Sequence, residues 1–166
     1  MAASRDMRVP KLLLPLLAWL PCACGILDSG PDVRVFVTAS RARLVPGDST
    51  TISVILTNVS DRVQTLSSEG CLLRFEVRDS TQAVVAPGLH GCADMLASYR
   101  LEPGAALSRR VVWFGDRYEE DSLFPWPGRL IRVLLAPASY GVAGVLEAEE
   151  MRARSAPTTV TLVPYF

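Results

Sequence analysis

Across residues 73–78 apolar and charged side chains alternate strictly, with Leu73, Phe75 and Val77 on one side of the pattern and Arg74, Glu76 and Arg78 on the other. A period of two puts the apolar set on one face of a strand and would scatter it around a helix. The same period sets Val33, Val35 and Val37 against Arg34 and Thr38, and places Ile52, Val54 and Leu56 together. Further β-prone runs occupy residues 82–86, 99–101, 107–114, 130–135 and 158–163, with turns at Val45-Pro46-Gly47-Asp48, Pro87-Gly88, Glu102-Pro103-Gly104 and Pro127-Gly128. Half-buried strands must cover their apolar faces with another layer, so the pattern predicts an all-β chain of seven or eight strands in a two-sheet antiparallel sandwich. Only residues 146–154 favour a helix by propensity, with Glu147 and Glu150 one turn from Met151 and Arg154. That stretch reads either as one short helix or as a polar β-excursion between the last two strands.

Before the first alternating run the sequence has a different character. Arg5, Arg8 and Lys11 precede residues 12–20, which are apolar apart from Pro15. A basic segment followed by an apolar run of this length reads as an export signal and is about half of the ~20 residues a membrane-spanning helix needs. Met7 is an alternative start. The run ends in Pro21-Cys22-Ala23-Cys24-Gly25, where a small residue before a cysteine resembles a bacterial lipoprotein signal. Cys24 is the expected acylated residue and Cys22 the alternative, which makes residues 1–23 the signal, 24–32 a linker and 33–166 the folded domain.

The chain of 166 residues carries 17 basic and 17 acidic side chains. Removing residues 1–23 takes three basic groups and one acidic group, leaving 14 arginines, no lysine and 16 acids, a net charge of −2. Neither balance offers the basic footprint of a nucleic-acid binder, and 49% hydrophobic content excludes a disordered chain. Cys71 and Cys92 remain in the domain, and export into an oxidising compartment predicts a disulfide between them. Its loop of about 20 residues would stabilise the fold by roughly 3 kcal/mol on the chain-entropy model.

Catalytic and metal chemistry find little support. Gly47-Asp48-Ser49 has the order of a serine-protease nucleophile segment, but Thr50 follows where that motif has glycine, and the single histidine, His90, has no acid set to orient it. Residues 46–49 are read as a turn entering a strand. His90, Cys92 and Asp94 lack the paired cysteines of structural zinc sites, and Asp116, Glu119, Glu120 and Asp121 lack the spacing of a calcium loop, so they are expected to form a solvated acidic loop. Asn58-Val59-Ser60 is a formal glycosylation sequon and is read as a turn asparagine. No enzyme, metal or cofactor is expected. The longest irregular stretch, residues 115–127, includes Tyr118, Phe124 and Trp126, with prolines at 125 and 127 stiffening it. Stiffness lowers the entropy lost on binding, which makes those three residues the candidate partner contacts; the competing reading is that Phe124 and Trp126 cap the open end of the sandwich core, and residues 79–98, braced by the disulfide, are the other candidate contact stretch.

Residues 33–135 resemble bacterial intracellular proteinase inhibitor domains of the BsuPI type. The likeness rests on residues 52–61, Phe75-Glu76-Val77-Arg78-Asp79, Leu101-Glu102-Pro103-Gly104-Ala105, Val111-Val112-Trp113 and Pro127-Gly128 before Leu130-Ile131-Arg132-Val133. It implies an immunoglobulin-like sandwich and an inhibitor that acts on serine proteases. The chain differs from that family in its export signal, its cysteine pair and its enlarged 115–127 stretch. The expected function is therefore an exported, non-enzymatic binding module of the cell envelope that meets a protein partner, touches the membrane only through its N-terminal lipid and binds no nucleic acid. Proteinase inhibition is the alternative. Cells given a palmitate analogue are expected to label the wild-type chain and not Cys24→Ala; label retained on that variant would move the acceptor to Cys22.

Overall fold

The structure, a computed structural model, describes residues 32–88, 96–120 and 130–164. Cys22, Cys24, His90, Cys92, Asp94, Phe124 and Trp126 lie outside these residues. Thirteen strands form the regular structure described, and none of it is helical. The first seven are β1 (Val33–Ala39), β2 (Arg43–Leu44), β3 (Thr50–Asn58), β4 (Gln64–Glu69), β5 (Leu73–Arg78), β6 (Val84–Gly88) and β7 (Leu96–Leu101). The remainder are β8 (Ala106–Trp113), β9 (Asp116–Glu120), β10 (Leu130–Leu134), β11 (Ser139–Glu147), β12 (Arg152–Arg154) and β13 (Thr158–Leu162).

Two sheets take up the apolar faces that the alternation creates. One is three-stranded, in the order β1-β3-β8. The other runs β2-β13-β11-β5-β6, with β12 added alongside β11. Val33 and Val35 of β1, Ile52, Val54 and Leu56 of β3, and Phe75 and Val77 of β5 all turn inward and are buried, as their period requires. Trp113 ends β8 inside this core and meets Phe75 edge to face at 6.4 Å between ring centroids. Two separate two-stranded antiparallel pairs, β4-β7, which are not consecutive in the chain, and the β9-β10 hairpin, complete the described strands.

Several expectations are corrected. The described residues already hold thirteen strands rather than seven or eight, because polar or very short segments also pair. β4, Gln-Thr-Leu-Ser-Ser-Glu, buries only Leu66 and Ser68. The pairing is not antiparallel throughout, since β13 and β2 run parallel. Residues 146–154 take the β-excursion: β11 turns back into β12, pairing Glu147 with Arg152 and Val145 with Arg154. The opening of the 115–127 stretch is not irregular, because residues 116–120 are β9, paired with β10 from Asp116↔Leu134 to Glu120↔Leu130.

β11 is the strand that the sequence pattern conceals. It is central in its sheet, between β13 and β5, and is buried from Val142 to Leu146. Gly144 sits where it crosses β1 and β3, and a Cβ there would stand 2.8 Å from Val54 Cγ1 and 3.2 Å from Val35 Cγ1. Tyr140 enters the strand with its hydroxyl donating to Ala136 O at 2.8 Å, which ties the β10–β11 connection to the sheet. Gly144→Ala is expected to lower stability by about 1–3 kcal/mol through overpacking, read as a lower denaturant midpoint with an unchanged slope.

Candidate functional site

Three surfaces could carry chemistry or contacts. The first is the outer face of β5 and its neighbours. Period two puts Arg74, Glu76 and Arg78 on one face of β5, yet Glu76 is 5% exposed, so the expected solvated face is covered by charge. Its carboxylate accepts from Arg74 at 2.9 Å, Arg78 at 3.0 Å and Arg154 of β12 at 2.6 Å, while Arg74 also reaches Glu147 at 2.7 Å. Burial pushes the Glu76 carboxyl upward, but the Arg78 hydrogen bond and the charges of Arg154 and Arg74 outweigh it and hold the group below the ordinary carboxylate range. The cluster binds five charged side chains from three strands, β5, β11 and β12, into one network; among its members there is no nucleophile.

The second surface is the end of the molecule where β8 passes into β9. Gly115, with φ of 70°, turns the chain so tightly that a Cβ would stand 2.9 Å from Leu162. Trp113 Nε1 donates to Asp116 O at 2.8 Å, and the Asp116 carboxylate, expected to be solvated, is 3% exposed and paired with Arg132 at 2.9 Å. The Arg132 guanidinium lies 4.8 Å from the centre of the Phe114 ring. These contacts root the β9-β10 hairpin. Beyond the root, the register sets Tyr118 opposite Arg132 and puts Tyr118, Leu130 and Leu134 on one face, exposed by 44%, 60% and 53%. Leu134 continues into an apolar groove of about 250 Å³ shared with Phe114, Val45, Pro46 and Leu162.

The third is a cleft of about 610 Å³ between residues 70–73 and the β8 segment 107–112, with Tyr99 on its wall. Cys71 is disulfide-bonded, to a partner outside the described residues. Arg109 spans the cleft from β8, donating to the Cys71 sulfur and to Leu73 O.

Of the candidate contact residues, Tyr118 stands exposed on a strand rather than in a loop. Asn58 is fully buried: Nδ2 donates to Arg62 O and Leu101 O, and Oδ1 accepts from Ser60 N and Oγ, which leaves no amide for a glycan. Residues 46–49 form the expected turn, closed by Asp48 N to Val45 O. Among the described residues no group of three or more potential metal ligands converges. The Glu76 network and the Asp116 root were missed. Alternating charge at 74, 76 and 78 signalled the first only in part, since Arg154 lies far along the chain.

No family model and no curated protein matches the chain. Among solved structures it is similar to a β-glucosidase from Erythrobacter marinus, at 20% identity and a TM-score of 0.46 over 79% of this chain and 15% of that one. It is also similar to the alkylpurine DNA glycosylase AlkC of Pseudomonas fluorescens, at 15% identity and 0.44 over 79% and 30%. The sporulation control protein Spo0M of Bacillus subtilis follows at 9% identity and 0.47 over 81% and 51%. The chain thus spans at most about half the length of these proteins, and likenesses this distant say nothing of its activity.

The linkage of Glu76 has a definite sign. Its folded carboxyl titrates below the ordinary value of 4.5, so its stabilisation is full above that pH and is lost as pH falls through the lower folded value. Glu76→Gln is expected to cost about 3 kcal/mol at neutral pH by leaving arginines unpaired, and to flatten the acid limb of stability measured by urea titration from pH 6 to 3.

Proposed function

We propose that the chain is an exported, non-enzymatic protein-binding module: an immunoglobulin-like sandwich held at the bacterial cell envelope by an acylated Cys24, or Cys22, ahead of a short linker. The strand order supports the immunoglobulin-like reading. β1-β3-β8 corresponds to the A-B-E side of that fold and β13-β11-β5-β6 to its G-F-C side with one added strand. The Tyr140 hydroxyl, bonded upstream near the start of the F-like strand, matches the tyrosine corner of such domains. The chain departs from antibody domains where β3 and β11 face each other, since Gly144 packs on Val54 there in place of a disulfide. The bond at Cys71 is assigned to Cys92: β4 and β7 pair Glu69 with Leu96, and the two cysteines lie two and four residues beyond that pair.

The observation that carries the binding role is the hairpin face of Tyr118, Leu130 and Leu134 running into the Phe114 groove. Exposed apolar side chains gathered on a two-stranded hairpin cost solubility, and burying them against a partner recovers that cost. The hairpin pairs with no other described strand, and its connecting sequence holds Phe124 and Trp126. This arrangement also favours the second reading, proteinase inhibition, in which the hairpin end occupies a protease cleft.

A photo-crosslinking residue at Leu130 is expected to yield a discrete adduct in intact envelopes, and one at exposed Arg152 on β12 is not. Adduct yield should fall at least fivefold in Leu134→Asp, with the β-type circular dichroism retained. Equal yields from both positions would overturn the hairpin as the contact. Unslowed subtilisin hydrolysis at stoichiometric excess of the chain would remove the inhibitor reading.

A further inference from the structure

β8 is the edge of its sheet, paired with β3 on one side and with no described strand on the other. Asn58 N bonds Ala105 O, and alternation from that point directs the backbone groups of Leu107, Arg109 and Val111 toward β3. Ser108, Arg110 and Val112 therefore turn their N–H and C=O groups outward, along the 107–112 wall of the 610 Å³ cleft. A long edge with free backbone groups is a template for another strand.

The charge of this edge selects the occupant. Arg109 and Arg110 line the cleft, Arg109 already committed to Cys71 and Leu73 O, and among the described lining residues none is acidic. Two copies of β8 paired antiparallel with most of the strand overlapped would set Arg110 against its own copy, or Arg109 against its own copy. Like charges directly opposite are destabilising, so a second copy of the chain is disfavoured. An acidic segment has the opposite sign. The inner side of the cleft offers Leu107, Val111 and Tyr99, so alternate residues of that segment should be apolar.

We propose that β8 accepts an extended polypeptide segment of alternating acidic and apolar residues, which pairs with Ser108, Arg110 and Val112 and sets an acidic side chain beside Arg110. This surface is separate from the apolar hairpin face, and neither depends on the other. The probe is a fluorescent seven-residue peptide alternating glutamate and valine, compared with its lysine counterpart by anisotropy against the full chain at low salt. The glutamate peptide is expected to bind at least tenfold more tightly, and N-methylation of its alternate amides to abolish binding. Ser108→Pro deletes one outward N–H that no described strand pairs with, a change that edge strands tolerate, and should weaken binding at least tenfold with circular dichroism unchanged. Arg110→Glu should reverse the preference toward lysine. Leu134→Asp should leave peptide binding unchanged, which separates this site from the hairpin. Equal affinity for the two peptides, or glutamate preference intact in Arg110→Glu, would overturn the proposal, as would chain dimerisation through β8.

Discussion

The separation of the two sheets is set where β11 crosses β1 and β3. Gly144 has no side chain, so Val54 and Val35 come to within contact of the β11 backbone. Protein interiors are packed to crystal-like density, and an extra methyl at such a crossing displaces whatever lies above it. The rest of the core depends on that closeness. With the layers this near, Phe75 reaches Trp113 across the interior, and Trp113 in turn holds the root of the β9-β10 hairpin through Asp116. The exposed apolar hairpin face is thereby anchored to a ring that is itself almost fully buried.

The face of the larger sheet away from the core solves a different problem. Three arginines and a glutamate there gather around one buried carboxylate. Bringing charges out of water is costly unless each finds partners, and Glu76 finds three. The network joins β5, β11 and β12, so it also holds β12 against the sheet in a segment whose propensity alone leans toward helix. Tertiary pairing overrides that lean, because β11 brings Glu147 opposite Arg152 and Val145 opposite Arg154.

Legibility in the sequence followed the strength of the period. β1, β3 and β5 are plain in the alternation of Val33, Ile52 and Phe75 with their polar neighbours. β11 is not, because Ser139-Tyr-Gly-Val-Ala-Gly-Val is small on both faces and shows no contrast for a period to reveal. Its smallness is what a strand buried on both sides of a close crossing needs. Asp116 was similarly hidden. As one of four acids in a short stretch it looks solvated, and only the return of β10 brings Arg132 to it.

From its residues alone the domain after residue 32 is read as predominantly β, with strands near 33, 52 and 73 and turns at 45–48 and 102–105, because alternation and glycine-proline punctuation act over a few residues and need no partner. The segment before residue 32 is likewise set apart by its own composition. Tertiary structure decided which faces were buried twice, that no described strand covers the outer edge of β8, and which charges met at Glu76 and Asp116. Those outcomes depend on strands separated by up to about eighty positions, such as Glu76 and Arg154, and no local pattern encodes a pairing between residues that only the closed fold brings together.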